Sequence, residues 1–153
     1  MNFKTINVED LELVVANASK PISNSNFSYP LNNLDDRIYE ILTYSLFKRK
    51  IENNDLEIVT KFDNVVLMQG VGEKGMDCIL LKNNKIVGLV QCKKYSKNLS
   101  DGIIIKEIVK FCLHFFLDKE RFDIQRRFTY YLATTTGFTG KSIDLIQRLG
   151  DKS

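Results

Sequence analysis

The chain is expected to fold as an α/β (α+β) domain, a mixed four-stranded sheet flanked by helices. Three observations carry that expectation. Three short apolar runs, Phe62 to Gln69, Cys78 to Leu81 and Ile86 to Lys93, follow one another closely, as the strands of a buried sheet do. A longer apolar segment, Asp101 to Leu117, then separates them from a fourth run, Phe128 to Thr136. A meander of strands, a crossover helix and one more strand together make a mixed sheet covered by helices.

Taken in order, Val8 to Ala18 has helical spacing, with Leu11, Val14, Val15 and Ala18 on one side. Ser19 to Asn33 is rich in Asn, Ser and Pro and reads as a loop. The organised domain is therefore expected to run over 35–153, with 1–34 as an N-terminal helix and linker. Asp35 to Lys50 reads as a helix whose first-turn carboxylates meet the positive end of the dipole. Its apolar face is expected to carry Ile38, Ile41, Leu42, Ser45 and Leu46. The helix over Asp101 to Leu117 is expected to turn Ile104, Ile105, Ile108, Val109, Cys112 and Phe116 inward. Gly140 to Leu149 forms the last helix.

Bulk properties agree with one globular domain. At 153 residues and 44% hydrophobic, the chain can bury a proper core. The formal net charge of +3 is too small to imply a nucleic-acid partner by itself. Cys78, Cys92 and Cys112 lie in apolar stretches without a CxxC pair, beside a single His, which points to reduced thiols rather than disulfides or a zinc site. The polar N-terminus lacks the apolar core of a signal peptide, and no apolar run approaches the ~18 residues of a membrane span. A cytoplasmic protein without a membrane partner is the expectation.

Chemistry concentrates in Gly72-Glu73-Lys74-Gly75-Met76-Asp77 and Gln91-Cys92-Lys93-Lys94-Tyr95. Gln91 and Lys93 are two apart on one strand and so share a face. Turn geometry decides whether Asp77 meets them. A two-residue loop at Asn83-Asn84 would pair Lys82 with Lys85 and set Asp77 against Val90. A three-residue loop, or an equivalent bulge, would set Asp77 against Gln91. We expect the latter register, because directly opposed Cβ atoms ~4.5–5.5 Å apart let two oxygens share one cation. Each residue alone also suits a turn or a solvated strand end. Together they interrupt two buried apolar strands, where polar groups need partners.

Gly72-x-x-Gly75-x-Asp77 followed by Gln91-Cys92-Lys93-Lys94-Tyr95 resembles the Mrr-type branch of the PD-(D/E)xK nucleases, in which Gln commonly replaces the acidic residue before x-Lys. Tyr39-Glu40 matches an aromatic-Glu pair on that family's first helix. Thr135-Thr136-Gly137-Phe138-Thr139 is similar to the segment ending its fourth strand, one residue shorter. The matches span roughly residues 35–150.

The resemblance implies a restriction-endonuclease-like core and Mg²⁺- or Mn²⁺-dependent hydrolysis of DNA phosphodiesters in restriction or antiviral defence. It implies Asp77, Gln91, Lys93 and Glu40 as catalytic residues. Asp77, Gln91 and the Cys92 carbonyl would hold the metal, since magnesium needs few protein oxygens besides water and substrate phosphate. Lys94, Lys97, Thr136 and Lys141 would contact nucleic acid. Glu40 suits either a cleft wall that supplies a carboxylate or a solvated helix face. Cutting a duplex needs two active sites, so a homo-oligomer or assembly through a larger parent protein is expected. The chain's end just after a helix suggests the N-terminal part of a longer protein, although a standalone protein fits as well. A catalytically inactive nuclease-fold module that binds DNA or a protein is the alternative. The stretch Thr135 to Ser142 superficially looks like a P-loop, but Thr135 stands where the first Gly must be.

Overall fold

The computed structural model describes residues 5–16, 31–69, 75–117 and 128–150. Among the described residues the elements follow in the order α1 (Val8–Ala16), α2 (Asp36–Glu52), α3 (Leu56–Val59), β1 (Asn64–Leu67), β2 (Cys78–Lys82), β3 (Lys85–Lys93), α4 (Asp101–Leu117), β4 (Thr129–Thr134) and α5 (Gly140–Gly150), with a 3₁₀ turn at Leu31–Asn33. The sheet has the order β1-β2-β3-β4. Its first three strands are antiparallel, and β4 runs parallel to β3 after the α4 crossover. The mixed sheet expected from the apolar runs is therefore the fold. Ala18, Gly72 and the loop over 19–30 lie outside the described residues.

The hairpin between β2 and β3 sets the later geometry. Asn83 and Asn84 both have positive φ, 52° and 60°, as a two-residue turn of the primed type requires. Of the two routes to the expected register, the three-residue loop does not form, since Lys82 pairs with Lys85, and the equivalent bulge does. The bulge shifts the register between Leu80 and Leu81, so that Leu81 pairs with Ile86 but Leu80 with Gly88. Val87 is the extra residue. From there Cys78 pairs with Val90, the alignment that the longer loop would have produced.

Gly88 is required by the parallel neighbour: a Cβ there would lie 2.6 Å from the Thr129 carbonyl oxygen. Its absence lets β4 approach β3 closely over six paired positions.

Alternation along β3 sends Val90 and Cys92 to one face of the sheet and Leu89, Gln91 and Lys93 to the other. The first face packs on α2 and α3 through Ile41, Ile58, Phe62, Cys78, Leu80 and Val90, with Tyr131 of β4 against them. The second holds Met76 and Leu89 beneath Phe111 and Phe115 of α4 and Phe128 and Tyr130 around β4. Leu11 and Val14 of α1 pack on the first cluster, and Thr5 bridges Met68 beyond the end of β1. The N-terminal helix thus shares the main core.

Two helix faces differ from expectation. On α2, Ile38, Ile41 and Leu42 are covered, but Ser45 and Leu46 are exposed while Tyr39, Thr43 and Phe47 turn inward. On α4 the covered stripe is Ile104, Glu107, Ile108, Phe111 and Phe115, whereas Ile105, Val109, Cys112 and Phe116 are exposed. α4, apolar nearly all round, carries little phase information, so contact with the sheet selects its face. The four-residue α3 was not expected, being too short for periodicity to register. It is held by the Asp55 side chain, which accepts from the Glu57 N–H at 3.1 Å and pairs with Lys50 at 2.8 Å.

Candidate functional site

Two cavities flank the end of β3, one on each face of the sheet. The first, about 410 Å³, is lined by Asp36, Tyr39 and Glu40 of α2, by Asp77, and by Cys92, Lys93 and Lys94. The second, about 320 Å³, is lined by Gln91 and Lys93 of β3, Glu107 and Phe111 of α4, and Tyr130 of β4, among others. Lys93 borders both.

Asp77 stands one residue before β2, and its backbone holds both neighbours. Its carbonyl accepts from the Met68 N–H at 2.9 Å, and its N–H donates to the Val90 carbonyl at 3.1 Å. A regular antiparallel ladder would turn both backbone groups of Asp77 toward Met68, so the bond to Val90 marks the end of regular pairing. The pairing slips at this point, so the pleat no longer dictates the direction of the side chain. The carboxylate accordingly reaches across to Cys92, whose N–H donates to Oδ2 at 2.6 Å.

Only 9% of Asp77 is exposed. Burial raises its carboxyl to about 6; the Cys92 N–H opposes the rise, the negative charge of Glu40 adds to it, and Lys93 and Arg37 act against it. Glu40 is half-buried and ion-paired to Arg37 one helical turn away. Of the two readings open for Glu40, the cleft wall is where it sits. Tyr39 beside it is buried, and loss of water pushes its phenol up to about 12. Burial likewise raises the Cys92 thiol to about 12, so this cysteine is a neutral thiol at ordinary pH.

Gln91 belongs to the other cavity. Its Oε1 accepts from the Tyr130 hydroxyl at 2.6 Å. Its Nε2 rests against Gly75, where a Cβ would come within 2.5 Å and where φ is +81°. The expected set is therefore divided: Asp77, Glu40, Cys92 and Lys93 share one cavity, and Gln91 meets Lys93 in the second.

The expected nucleic-acid contacts are also distributed. Lys94 lines the first cavity and pairs with Asp36 at 3.2 Å. Thr136 donates its hydroxyl to the Lys97 carbonyl at 3.0 Å, and Thr135 exchanges hydrogen bonds with the backbone of Tyr95. Leu99 bridges Phe138, and the buried Ser142 hydroxyl donates to the Leu99 carbonyl. The threonine-rich segment thus latches the end of β4 to the loop after β3. Lys141 is exposed and lies in a separate depression with Asp101, Asp144 and Arg148.

Three residues were missed by sequence reasoning. Arg37 has a buried Nη2 without a hydrogen-bond partner among the described residues, and its only signal was the i,i+3 spacing to Glu40. Tyr130 looked like any strand aromatic. Glu107 interrupts an apolar stripe between Ile104 and Phe111, a signal that was readable once the stripe was known.

Among the described residues, no group of three or more His, Cys, Asp and Glu side chains is placed to hold a metal ion. Nor is any helix among them long and apolar enough to cross a membrane. Comparison with protein-family models, curated proteins and solved structures finds no match for the chain.

Proposed function

We propose that this chain is a nuclease of the Mrr-like PD-(D/E)xK type, hydrolysing DNA phosphodiester bonds with Mg²⁺ or Mn²⁺. One observation carries the reading: Glu40 of α2, Lys93 of β3 and Asp77 just before β2 border one cavity at the ragged end of the β2–β3 hairpin. The order of motifs along the chain supports it.

The donors fit a hard divalent cation as a partial site. Three carboxylates line the cavity: Asp36 pairs with Lys94, Glu40 pairs with Arg37, and the Asp77 carboxylate rests on the Cys92 N–H. Magnesium is commonly held by one or two carboxylates, completed by water and substrate phosphate. Asp77 and Glu40 would hold it, with the Cys92 carbonyl as a further oxygen. Bound there, the cation would neutralise charge on the phosphodiester and favour ionisation of the attacking water. Lys93 binds a phosphoryl oxygen and stabilises the charge that grows on it in the transition state. The Cys92 N–H holds the Asp77 carboxylate in place. Lys94 steers the phosphate backbone toward the cavity. Gln91, engaged with Tyr130, is not assigned to the metal. Action in antiviral defence, a cytoplasmic location and assembly as a homo-oligomer or within a larger protein belong to this same proposal.

The second reading is a nuclease fold retained for binding DNA or a protein without catalysis. The division of Gln91 from Asp77 favours it. Incubating the protein with supercoiled plasmid and Mg²⁺ or Mn²⁺ separates the two. Cleavage that is lost by at least 100-fold in Asp77→Ala and in Lys93→Ala supports the nuclease. Metal-independent DNA binding without cleavage supports the binding module. Four-way junctions tested beside linear duplex show whether a branched substrate is preferred.

A further inference from the structure

Helix α4 is apolar on the side turned away from the sheet as well as on the side that packs. Ile105, Val109, Leu113, Phe116 and Leu117 are 47–82% exposed, and Cys112 is exposed among them. Lys106 and Lys110, both exposed, flank this stripe rather than interrupt it. Together the six side chains hold open roughly 600 Å² of surface, the upper end of what one apolar patch on a monomer commonly shows. A patch of that size is a contact surface more often than a solvated one.

The spacing of the stripe selects what fits it. Ile105, Val109, Cys112 and Phe116 follow at intervals of four, three and four residues. That is the seam by which one α-helix lies along another, with axes about 20° apart. The intervals also read the same in both directions. An antiparallel copy, related by a two-fold axis beside the Lys110–Phe111 peptide, therefore sets Ile105 opposite Phe116 and Val109 opposite Cys112, each pair occurring twice. The stripe is thus its own complement. Pairing two copies covers roughly 1,200 Å² in total, which reaches the lower end of stable protein–protein interfaces. We infer that α4 is a homodimer interface, along which two copies of this chain pack antiparallel through Ile105, Val109, Cys112 and Phe116. The surface and the partner go beyond the nuclease reading, and no residue lining the Asp77 cavity takes part in the contact.

The test measures molar mass by light scattering at micromolar concentrations, with the dissociation constant taken from sedimentation equilibrium. Wild-type protein is expected at twice the 17.7 kDa of one chain. Val109→Glu should raise the dissociation constant by at least roughly 100-fold, because each glutamate would be buried in the seam without a partner. Ile146→Glu, at an exposed position on α5, should leave it unchanged, which separates pairing through α4 from general stickiness. A short bismaleimide gives a readout that needs no disruptive variant. It should join two wild-type chains and fail in Cys112→Ser, since Cys112 is the exposed thiol of the three. A protein that stays at the mass of one chain overturns the proposal. So does a dimer that survives Val109→Glu, that Ile146→Glu dissociates equally, or that is still cross-linked in Cys112→Ser. A monomer that pellets with phosphatidylcholine vesicles would assign the stripe to a lipid surface, which overturns it as well. Plasmid cleavage measured in parallel decides the nuclease reading separately: a dimer through α4 without cleavage removes that reading and leaves this one.

Discussion

Replacing Asp77 with Asn should make the protein more stable at neutral pH and leave it little changed in acid. The Asp77 carboxyl is raised from 3.8 to about 6, chiefly because folding takes it out of water. A raised carboxyl means that the folded state binds the proton more tightly than the unfolded chain does. Its contribution is fully present below pH 4 and is lost as pH rises through about 6. That rise corresponds to about 3 kcal/mol, at 1.36 kcal/mol for each tenfold change in proton affinity. Asparagine removes the charge and keeps an oxygen to accept from the Cys92 N–H. Urea denaturation at constant ionic strength, at pH 4, 5, 6 and 7.5, reads the effect. The variant's advantage should grow from near zero to about 3 kcal/mol across that range. An advantage that is flat with pH, or that shrinks as pH rises, would show that burial does not burden this carboxylate. Saturating Mg²⁺ at pH 7.5 should then stabilise the wild type and not Asp77→Asn, by about 2.7 kcal/mol at one hundred times the dissociation constant.

Two further outcomes test the framework around the site. Gly88→Ala should destabilise by about 1–3 kcal/mol, seen as a lower urea midpoint, because its methyl group meets the Thr129 carbonyl and pushes β4 off β3. Ser142→Ala should cost about 0.5–1.5 kcal/mol in the same assay, since it removes one of the two hydrogen bonds to the Leu99 carbonyl, which keeps the Thr139 N–H. An unchanged midpoint in Gly88→Ala would show that the β3–β4 pairing tolerates the methyl group, and in Ser142→Ala that the latch between β4 and the loop after β3 contributes nothing to stability.

Much of the framework follows from local signals. The strands over Cys78 to Lys82 and Lys85 to Lys93, and the helices over Asp101 to Leu117 and Gly140 to Gly150, match segments whose length and apolar content admit few alternatives. The pairing of Cys78 with Val90 was reachable by asking which register lets Asp77 approach β3. A bulge was expected as the alternative to a longer loop, and a bulge is what forms, but its position was not legible. Asn83-Asn84 is a good two-residue turn, and the bulge at Val87 that corrects its register leaves no mark in composition. Exposed Ile105, Val109 and Phe116 show the limit of periodicity on a helix that is apolar on every side.

Residue order along the chain was enough to determine which groups gather at the hairpin's end, because strand spacing and short turns leave them nowhere else to go. Which cavity each group enters was decided by tertiary structure alone. Asp77 lies just past the last regular pair, where its N–H takes the Val90 carbonyl and its carboxylate is free to turn toward Cys92. Gln91 lies inside the ladder, so the pleat commits it to the α4 face and to Tyr130. A difference of one residue in where regular pairing stops separates the two sides of the sheet, and only the packed neighbours determine where it stops.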